Sequence, residues 1–471
     1  MSDVVSSGVQ AYIERGKELA AAEAHRRATM RQMKFDTIAV HGIYGMEAAL
    51  ANQGSLNEPI YLSSAQHFEC SDHMEAAVSL QMPGWIYTRI ANPTVHYLEE
   101  TLALMEGYGF DGEVSAYAAA SGMGAVFIAT SPFLMLDDSP IQNGHRSMAR
   151  PNLVATPRCY GGTFMLFTER YAKERGVEVR WVPEPENIDA WAALIDDNTR
   201  FLYGELPSNP TLNVIDIQAL ADLAHQHNLP LIVDSTVATP ALLRPLCHGA
   251  DIVVHSVSKS MTVSGLGIAG AVVARHNIPS RVGPDELREN FALYAKVLPA
   301  RDFGPSISPF NAMMTINDLR TLRQRMDYIS HNAMQVAQFL DQHPNVERVY
   351  YPGLANAEGH HLARRYMQLV DSNNGTGEAE HRYGHLVSFT VRGGVAACRA
   401  VLDQFQLIMR ATDLGRIKSI ATIPAISTHQ QQGDGGRDLA GVPPHMIRLN
   451  VGGEHAADVI ADLEQALAVA G

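Results

Sequence analysis

The stretch Gly249 to Gly270, GADIVVHSVSKSMTVSGLGIAG, drives a short apolar, β-branched run, Ile252 to Val254, straight into Ser256-Val257-Ser258-Lys259. A run of that length and composition reads as a strand buried on both faces of a mainly parallel sheet. Neighbouring segments repeat the pattern. Leu231 to Val233 follows Pro230 and stops at Asp234, Leu153 to Ala155 forms another such run, and the helical segment Ile217 to His227 separates strand from strand. Helix and strand alternate in this way from about Trp85 onward, which specifies an α/β fold.

The chain of 471 residues has room for two to four domains at roughly 150 residues each. With 46% hydrophobic and 18% charged residues, disordered, collagen-like and disulfide-scaffold classes are excluded. Lys plus Arg number 36 against 50 Asp plus Glu, a net charge of −14, which argues against a nucleic-acid binder while leaving room for a local anion site. Cys70, Cys159, Cys247 and Cys398 show no Cys-x-x-Cys spacing, so neither a disulfide framework nor a thiolate metal site is implied. No metal is expected from the 20 histidines either: His-Glu-x-x-His is absent, and the tandem His360-His361 points two ways on any regular element. No run approaches 18 apolar residues and the N-terminus lacks an apolar signal core, so the expected location is the cytoplasm, without membrane contact.

Residues 1–84 read as an N-terminal arm, with about 30 Ala- and charge-rich residues at helical spacing and then an irregular stretch with turn signals such as Asn57-Glu58-Pro59. Residues 85–305 read as a large domain, and 306–471 as a smaller C-terminal α/β domain that opens with a long helical pattern, Ala312 to Gln342. Asp137 to Asn152 and Asp371 to Arg382 are polar and rich in Gly, Asn, Ser or Pro, and read as surface loops. Gly265-Leu266-Gly267-Ile268-Ala269-Gly270 matches Gly-x-Gly-x-x-Gly, yet it precedes the strand-like run Ala271 to Ala274, the wrong order for dinucleotide binding.

Lys259 falls just beyond the C-terminal end of a parallel strand, where open α/β sheets gather their ligands. Its amine can form a Schiff base with a carbonyl, and the hydroxyls of Ser256 and Ser258 can bind a phosphate, although a Ser-x-Ser-Lys turn is also an ordinary solvated loop. Asp234, at the end of a second strand, either caps the following helix or holds the ring nitrogen of pyridoxal phosphate protonated. Ala120-Ser121-Gly122-Met123-Gly124 precedes an apolar helical run and offers an anion-binding helix N-terminus. Tyr160-Gly161-Gly162-Thr163 presents an aromatic face, and Tyr87-Thr88-Arg89 a phenol and a guanidinium suited to phosphate.

Taken in order, Tyr-Thr-Arg-x-x-Asn-Pro-Thr from Tyr87, Ala-Ser-Gly-Met-Gly from Ala120, Tyr-Gly-Gly-Thr from Tyr160, Glu-x-Pro-Ser-Asn-Pro from Glu205, Val-Asp-x-Thr-x-Ala-Thr-Pro from Val233, the Lys259 segment and Arg-Leu-x-Val-Gly from Arg448 resemble one family. It is the Cys/Met-metabolism family of fold-type I pyridoxal-phosphate enzymes, and the likeness spans about residues 34 to 470. The resemblance implies a mainly parallel central sheet and pyridoxal 5′-phosphate as cofactor. It implies that Lys259 is the Schiff-base lysine and proton shuttle, that Asp234 pairs with the pyridinium nitrogen, and that Thr236 lies beside the ring. Ser121, Gly122, Met123, Ser256 and Ser258 would bind the phosphate, with Tyr87 and Arg89 reaching in from a neighbouring subunit. Tyr160 would stack on the ring and assist the leaving group, Asn209 would lie near the phenolic oxygen, and Arg448 with Ser419 and Tyr87 would serve the substrate. A dimer would then complete the site, and a homotetramer of two such dimers is implied.

Within the family, Pro59-Ile60-Tyr61, Pro83-Gly84-Trp85, Asp413-Leu414-Gly415 to Lys418-Ser419 and Thr428-His429-Gln430-Gln431 are most similar to the O-acetylhomoserine sulfhydrylase branch. Lys418 stands where lyases carry glutamate, and Gly162 where methionine γ-lyases carry cysteine. This likeness implies a transferase that replaces the ester group of an activated homoserine with sulfide or a thiol, in methionine biosynthesis or trans-sulfuration. Ser260 replaces the family's aromatic residue after the lysine, and Thr262-Val263-Ser264-Gly265 replaces Gly-Gly-His-Gly, which leaves a γ- or β-lyase as the alternative. A non-enzymatic scaffold is disfavoured, because buried charged residues kept without a ligand are costly.

Overall fold

The computed structural model describes residues 6–135, 150–373 and 378–470. Seven strands form the larger sheet: β1 (Val114–Ala119), β2 (Asn152–Ala155), β3 (Glu178–Trp181), β4 (Thr199–Glu205), β5 (Leu231–Asp234), β6 (Ile252–His255) and β7 (Gly270–Arg275), in the order β1-β7-β6-β5-β4-β2-β3. β6, β5, β4, β2 and β3 run parallel, while β7 is antiparallel to both β6 and β1. Every residue of β5 and β6 is buried, as expected where helices cover both faces. Alternation along each strand sends Val233 and Val253 to one core and Ile232, Ile252 and Val254 to the other. The parallel run puts the C-terminal ends of β4, β5 and β6 on one edge, which is where the site forms.

A second sheet contains β8 (Val346–Tyr350), β9 (Leu386–Val391), β10 (Met409–Arg410), β11 (Ile420–Thr422) and β12 (Met446–Asn450), in the order β10-β11-β12-β9-β8. It is antiparallel except for β10 with β11. Its central strand β12 sets Arg448 between Ser388 of β9 and Thr422 of β11. One apolar core runs on from the large sheet (Leu202, Val233) to this one (Val387, Phe389, Ile447), so the two sheets are held against each other by buried surface.

Several sequence expectations need correction. The stretch before Gly84 contains three short helices, Phe35–His41, Met46–Ala51 and Ser71–Val78, after the long helix Ser7–Arg31. They are too short to be stable alone; Phe35 and Ile38 of the first enter the main core, and Ala76 and Ala77 of the third form a small cluster with Val9 and Met82. The pattern Ala312 to Gln342 is two helices, Pro309–Leu319 and Leu322–Gln342. No Gly or Pro marks the break; the turn lets Arg320 pair with Glu58 and Arg323 donate to the Val370 carbonyl at 2.6 Å. Of the loop Asp137 to Asn152, residues 137–149 lie outside the described residues, and Asn152 is a buried member of β2, satisfied by Asp196 and Thr199 at 2.7 and 2.8 Å. The segment Asp371 to Arg382 is anchored at both described ends: Asp371 accepts from Phe35 N and Tyr108 Oη at 2.9 and 2.7 Å, and Arg382 pairs with Asp327 at 2.6 Å. Residues 374–377 lie outside the described residues.

Candidate active site

Glu205 and Asp234, the last residues of β4 and β5, are register partners, so two buried carboxylates stand side by side at the sheet edge. Burial pushes the Asp234 carboxyl up, and burial together with the facing Asp234 pushes Glu205 well up. Asp234 Oδ1 accepts from Thr236 N and Oγ1 at 3.0 and 2.6 Å, and Thr236 Oγ1 in turn accepts from Ser256 N at 2.7 Å. Glu205 accepts from Tyr160 N at 2.7 Å and Asn209 N at 2.8 Å. Thus β4 and β5 hold the loops carrying Tyr160, Asn209 and Ser256.

Lys259 follows β6 in a turn closed by its N–H on the Ser256 carbonyl at 3.0 Å. Its Nζ lies 2.6 Å from Asp413 Oδ1, whose other oxygen accepts from Arg416 Nε at 2.5 Å. Burial raises the Asp413 carboxyl, but its bonds with Lys259 and Arg416 outweigh that and hold it below the ordinary value. Arg416 also donates to the Ser258 and Thr262 carbonyls at 2.6 and 2.9 Å, bracketing the lysine. The Asp413 carbonyl accepts from Arg448 Nη2 at 2.9 Å, and Arg448 Nη1 donates to Asn209 Oδ1 at 3.0 Å. A continuous polar path therefore joins Lys259, Asp413, Arg448, Asn209, Glu205 and Tyr160.

Arg448 is 1% exposed, burial pushes it down to about 10, and its Nε has no hydrogen-bond partner. Among the described residues no carboxylate lies within ion-pair distance of it. A buried guanidinium in that condition is suited to an incoming carboxylate.

At the other side of Lys259, the helix Gly122–Met135 points its N-terminus at Ser256. A Cβ at Gly122 would stand 2.5 Å from the Ser256 Cβ, so only glycine leaves this approach open. Ser121 accepts from Gly124 N at 3.1 Å as a cap, and the Ser258 hydroxyl is engaged with both backbone groups of Ala269 at 2.9 and 2.8 Å. The Tyr160 ring and the Met123 sulfur flank Gly162, where a Cβ would lie 2.5 and 3.2 Å from them. Ser419 bonds Glu454 through N and Oγ at 2.7 and 2.9 Å and accepts from Gly452 N at 2.9 Å. Its hydroxyl is thus engaged within the second sheet.

Tyr87 and Arg89 stand apart from this cluster. Tyr87 is 43% exposed, and Arg89 lies over its ring at 5.5 Å while donating to the Arg301 carbonyl. Sequence reading missed Asp413, Arg416 and Glu205 as site residues. Their motifs were visible, but the Lys259–Asp413 contact spans 154 positions, and no local signal carries it.

These residues fit pyridoxal phosphate. The buried carboxylate pair calls for a cationic ring nitrogen, the helix N-terminus beside Gly122 leaves a cradle for phosphate, and Lys259 supplies the amine. Such a site at the carboxyl edge of a parallel sheet defines an enzyme of the lysine-anchored cofactor class. The profile of the Cys/Met metabolism PLP-dependent enzymes matches residues 36–468, and the chain belongs to that family. Pyridoxal phosphate is its cofactor. The O-acetyl-L-homoserine sulfhydrylase of Leptospira meyeri is 33% identical over 465 residues, covering 93% of this chain and 97% of its own. An L-methionine gamma-lyase of Fusobacterium nucleatum subsp. polymorphum is 34% identical over 416 residues, covering 88% and 94%. A Campylobacter jejuni crystal structure containing N′-pyridoxyl-lysine-5′-monophosphate superposes with a TM-score of 0.80 at 33% identity, covering 93% of this chain and all of that one. Among the described residues no helix is long and apolar enough to cross a membrane.

Proposed function

We propose that the protein is a γ-replacement transferase acting on an O-acetylhomoserine-like ester with sulfide or a thiol. In that reaction the Cγ–O bond breaks and releases the carboxylate, a C–S bond forms, and the thiol proton passes to solvent. The observation that carries the reading is the polar path from Lys259 through Asp413 and Arg448 to Asn209 and the Tyr160 backbone, which supports an amine and a carboxylate receptor acting at one centre. Pyridoxal phosphate supplies an electron sink for the pair left when a substrate C–H bond breaks. Lys259 would anchor the cofactor and move protons at Cα and Cβ, and Asp234, fixed by Thr236, would pair with the ring nitrogen. Gly122, Met123, Ser256 and the capped helix end would hold the phosphate, with Ser121 and Ser258 shaping that loop. Arg448 would receive the α-carboxylate with the Ser419 segment beside it, and Asn209, which holds the guanidinium, would lie near the cofactor's phenolic oxygen.

Relatives named O-acetyl-L-homoserine sulfhydrylase in Leptospira meyeri and Corynebacterium glutamicum, at 33% and 32% identity over more than nine-tenths of the chain, support the choice of reaction. Gly162 supports it too, since any side chain there displaces the Tyr160 ring. A second reading, a γ-lyase, is favoured by the methionine gamma-lyases at 33% and 34% identity. Product analysis separates the two. A new thioether or homocysteine from O-acetylhomoserine plus thiol or sulfide supports the transferase, and keto acid with ammonia from methionine, without added thiol, makes it a lyase.

We further assign residues 1–84 to an arm, 85–305 to the cofactor domain and 306–471 to the C-terminal domain. We place the enzyme in the cytoplasm as a homotetramer built of two dimers, in which Tyr87 and Arg89 serve the neighbouring site. The exposure of that pair in one chain supports the last point, as do exposed Leu56, Leu62, Leu266 and Ile268. All four cysteines are free, which suits a reducing compartment.

A further inference from the structure

Lys259 has two obligations that exclude each other: its Nζ is bonded to the cofactor before the substrate arrives, and it is a free amine carrying protons afterwards. The only carboxylate that the described ion pairs place on Nζ is Asp413, at 2.6 Å. Asp413 is fixed independently of the lysine. Oδ2 holds Arg416 at 2.5 Å, Oδ1 accepts from Leu414 N at 2.9 Å, and its carbonyl accepts from Arg448. Arg416 is in turn tied to the carbonyls of Ser258 and Thr262 on both sides of the lysine. The carboxylate is therefore pre-organised and needs no rearrangement to receive a charge.

We propose that Asp413 is a catalytic residue that receives the Lys259 amine as an ammonium each time it is released from the cofactor. The inference rests on Lys259 as the anchoring amine. In the step it serves, the substrate Cα–H bond breaks, its electron pair passes to the bound cofactor, and the proton forms a new N–H bond on Nζ. The resulting positive charge meets Asp413, and Arg416 keeps the carboxylate in place when Nζ is engaged elsewhere. Through its carbonyl, the same residue holds Arg448, so amine and carboxylate receptor share one support.

The two roles predict opposite effects for removing the charge. Before Nζ attacks the aldehyde of free pyridoxal phosphate it must leave Asp413 and lose its proton, so the pair retards capture; during turnover the pair stabilises the protonated amine. Asp413→Asn and Asp413→Ser keep a hydrogen-bonding group and remove the charge. Cofactor-free wild type and variants are mixed with pyridoxal phosphate at neutral pH, and imine absorbance is followed; turnover of the reloaded enzymes is measured separately. Capture about tenfold faster, with turnover at least about tenfold slower, is expected from the loss of one charge-assisted hydrogen bond. Capture and turnover falling together, or neither changing, in the variant that folds overturns the assignment. If wild type turns over methionine but no homoserine ester, the proposed reaction fails, and Asp413 stands when the variants still speed capture and slow that turnover.

Discussion

The site has a buried wall and an exposed edge, and the two are built differently. Asp234, Glu205, Asn209 and Arg448 are all at most 7% exposed, and each is fixed by hydrogen bonds from a different element. Tyr87 and Arg89 rest on the surface, with Arg89 spending its guanidinium on a backbone carbonyl and its neighbour's ring. A buried charge is expensive unless it is hydrogen-bonded, so the wall's groups are fixed within one chain, with Arg448 Nε the donor left for a ligand. An exposed arginine carries no such penalty and is free to take a different partner when another chain covers it. The difference teaches that the buried groups are fixed within one chain, while the exposed pair is free to serve another, as we propose for the phosphate.

The largest effect expected is on the wall. Lys259→Ala loses the visible imine band and lowers turnover by at least 10²- to 10⁴-fold, the range for a missing acid–base group alone. Turnover at wild-type rate in a colourless Lys259→Ala protein would sink the assignment. Arg448→Ala should cost about 2–5 kcal/mol of substrate binding, read as a raised KM with cofactor content unchanged. Arg448→Lys should recover little, because an ammonium does not reproduce the fork that spans Asn209 and the Asp413 carbonyl.

The edge is tested by mixing. Arg89→Ala alone should lose cofactor more readily on dilution. Co-assembled with Lys259→Ala, it should form hybrid sites with one intact lysine and one intact arginine and regain activity that neither parent shows. Hybrids as inactive as their parents would place Arg89 in its own chain's site. A smaller effect belongs to Gly162→Ala: its Cβ meets the Tyr160 ring at 2.5 Å, and relieving such overpacking costs about 1–3 kcal/mol. A shifted absorption band with a folded protein is the expected sign.

The smallest effect concerns the arm. His96 of the helix Pro93–Glu106 bonds Glu23 of the helix Ser7–Arg31 at 3.0 Å. Burial lowers the imidazole, yet Glu23 and then Glu100 raise it by more, against Lys296, and the net direction is up; Glu23 is held down by the same pair and by Arg26 and Arg27. With the histidine raised in the fold, its stabilisation is full below its ordinary value of 6.5 and is lost as pH rises through the raised one. Hydrogen exchange in residues 7–31 should therefore quicken, beyond its intrinsic pH dependence, across that window, and His96→Gln should remove the excess.

Much of this was legible because it is local. β5 and β6 announce themselves as β-branched runs, and Asp234 and Lys259 sit at their ends, so the sheet, the cofactor and the proposed anchoring amine are read from neighbours in the chain. Other features were hidden for stated reasons. The break at Arg320 carries no glycine or proline because a distant carboxylate, Glu58, draws the arginine out. Ser419 looks like a substrate contact by position, but in the fold Glu454 and Gly452 take its hydroxyl.

The order of amino acids by itself determined the α/β class, the family and the lysine, because strand periodicity, turn chemistry and short motifs are properties of consecutive residues. Only the tertiary structure decided that Asp413 meets Lys259, that Glu205 ties Tyr160 to Asn209, and that Arg448 has no carboxylate partner among the described residues. The Lys259–Asp413 and Arg448–Asn209 pairings join the two sheet regions across more than a hundred residues, and the packing of the shared core, which no local pattern encodes, sets them.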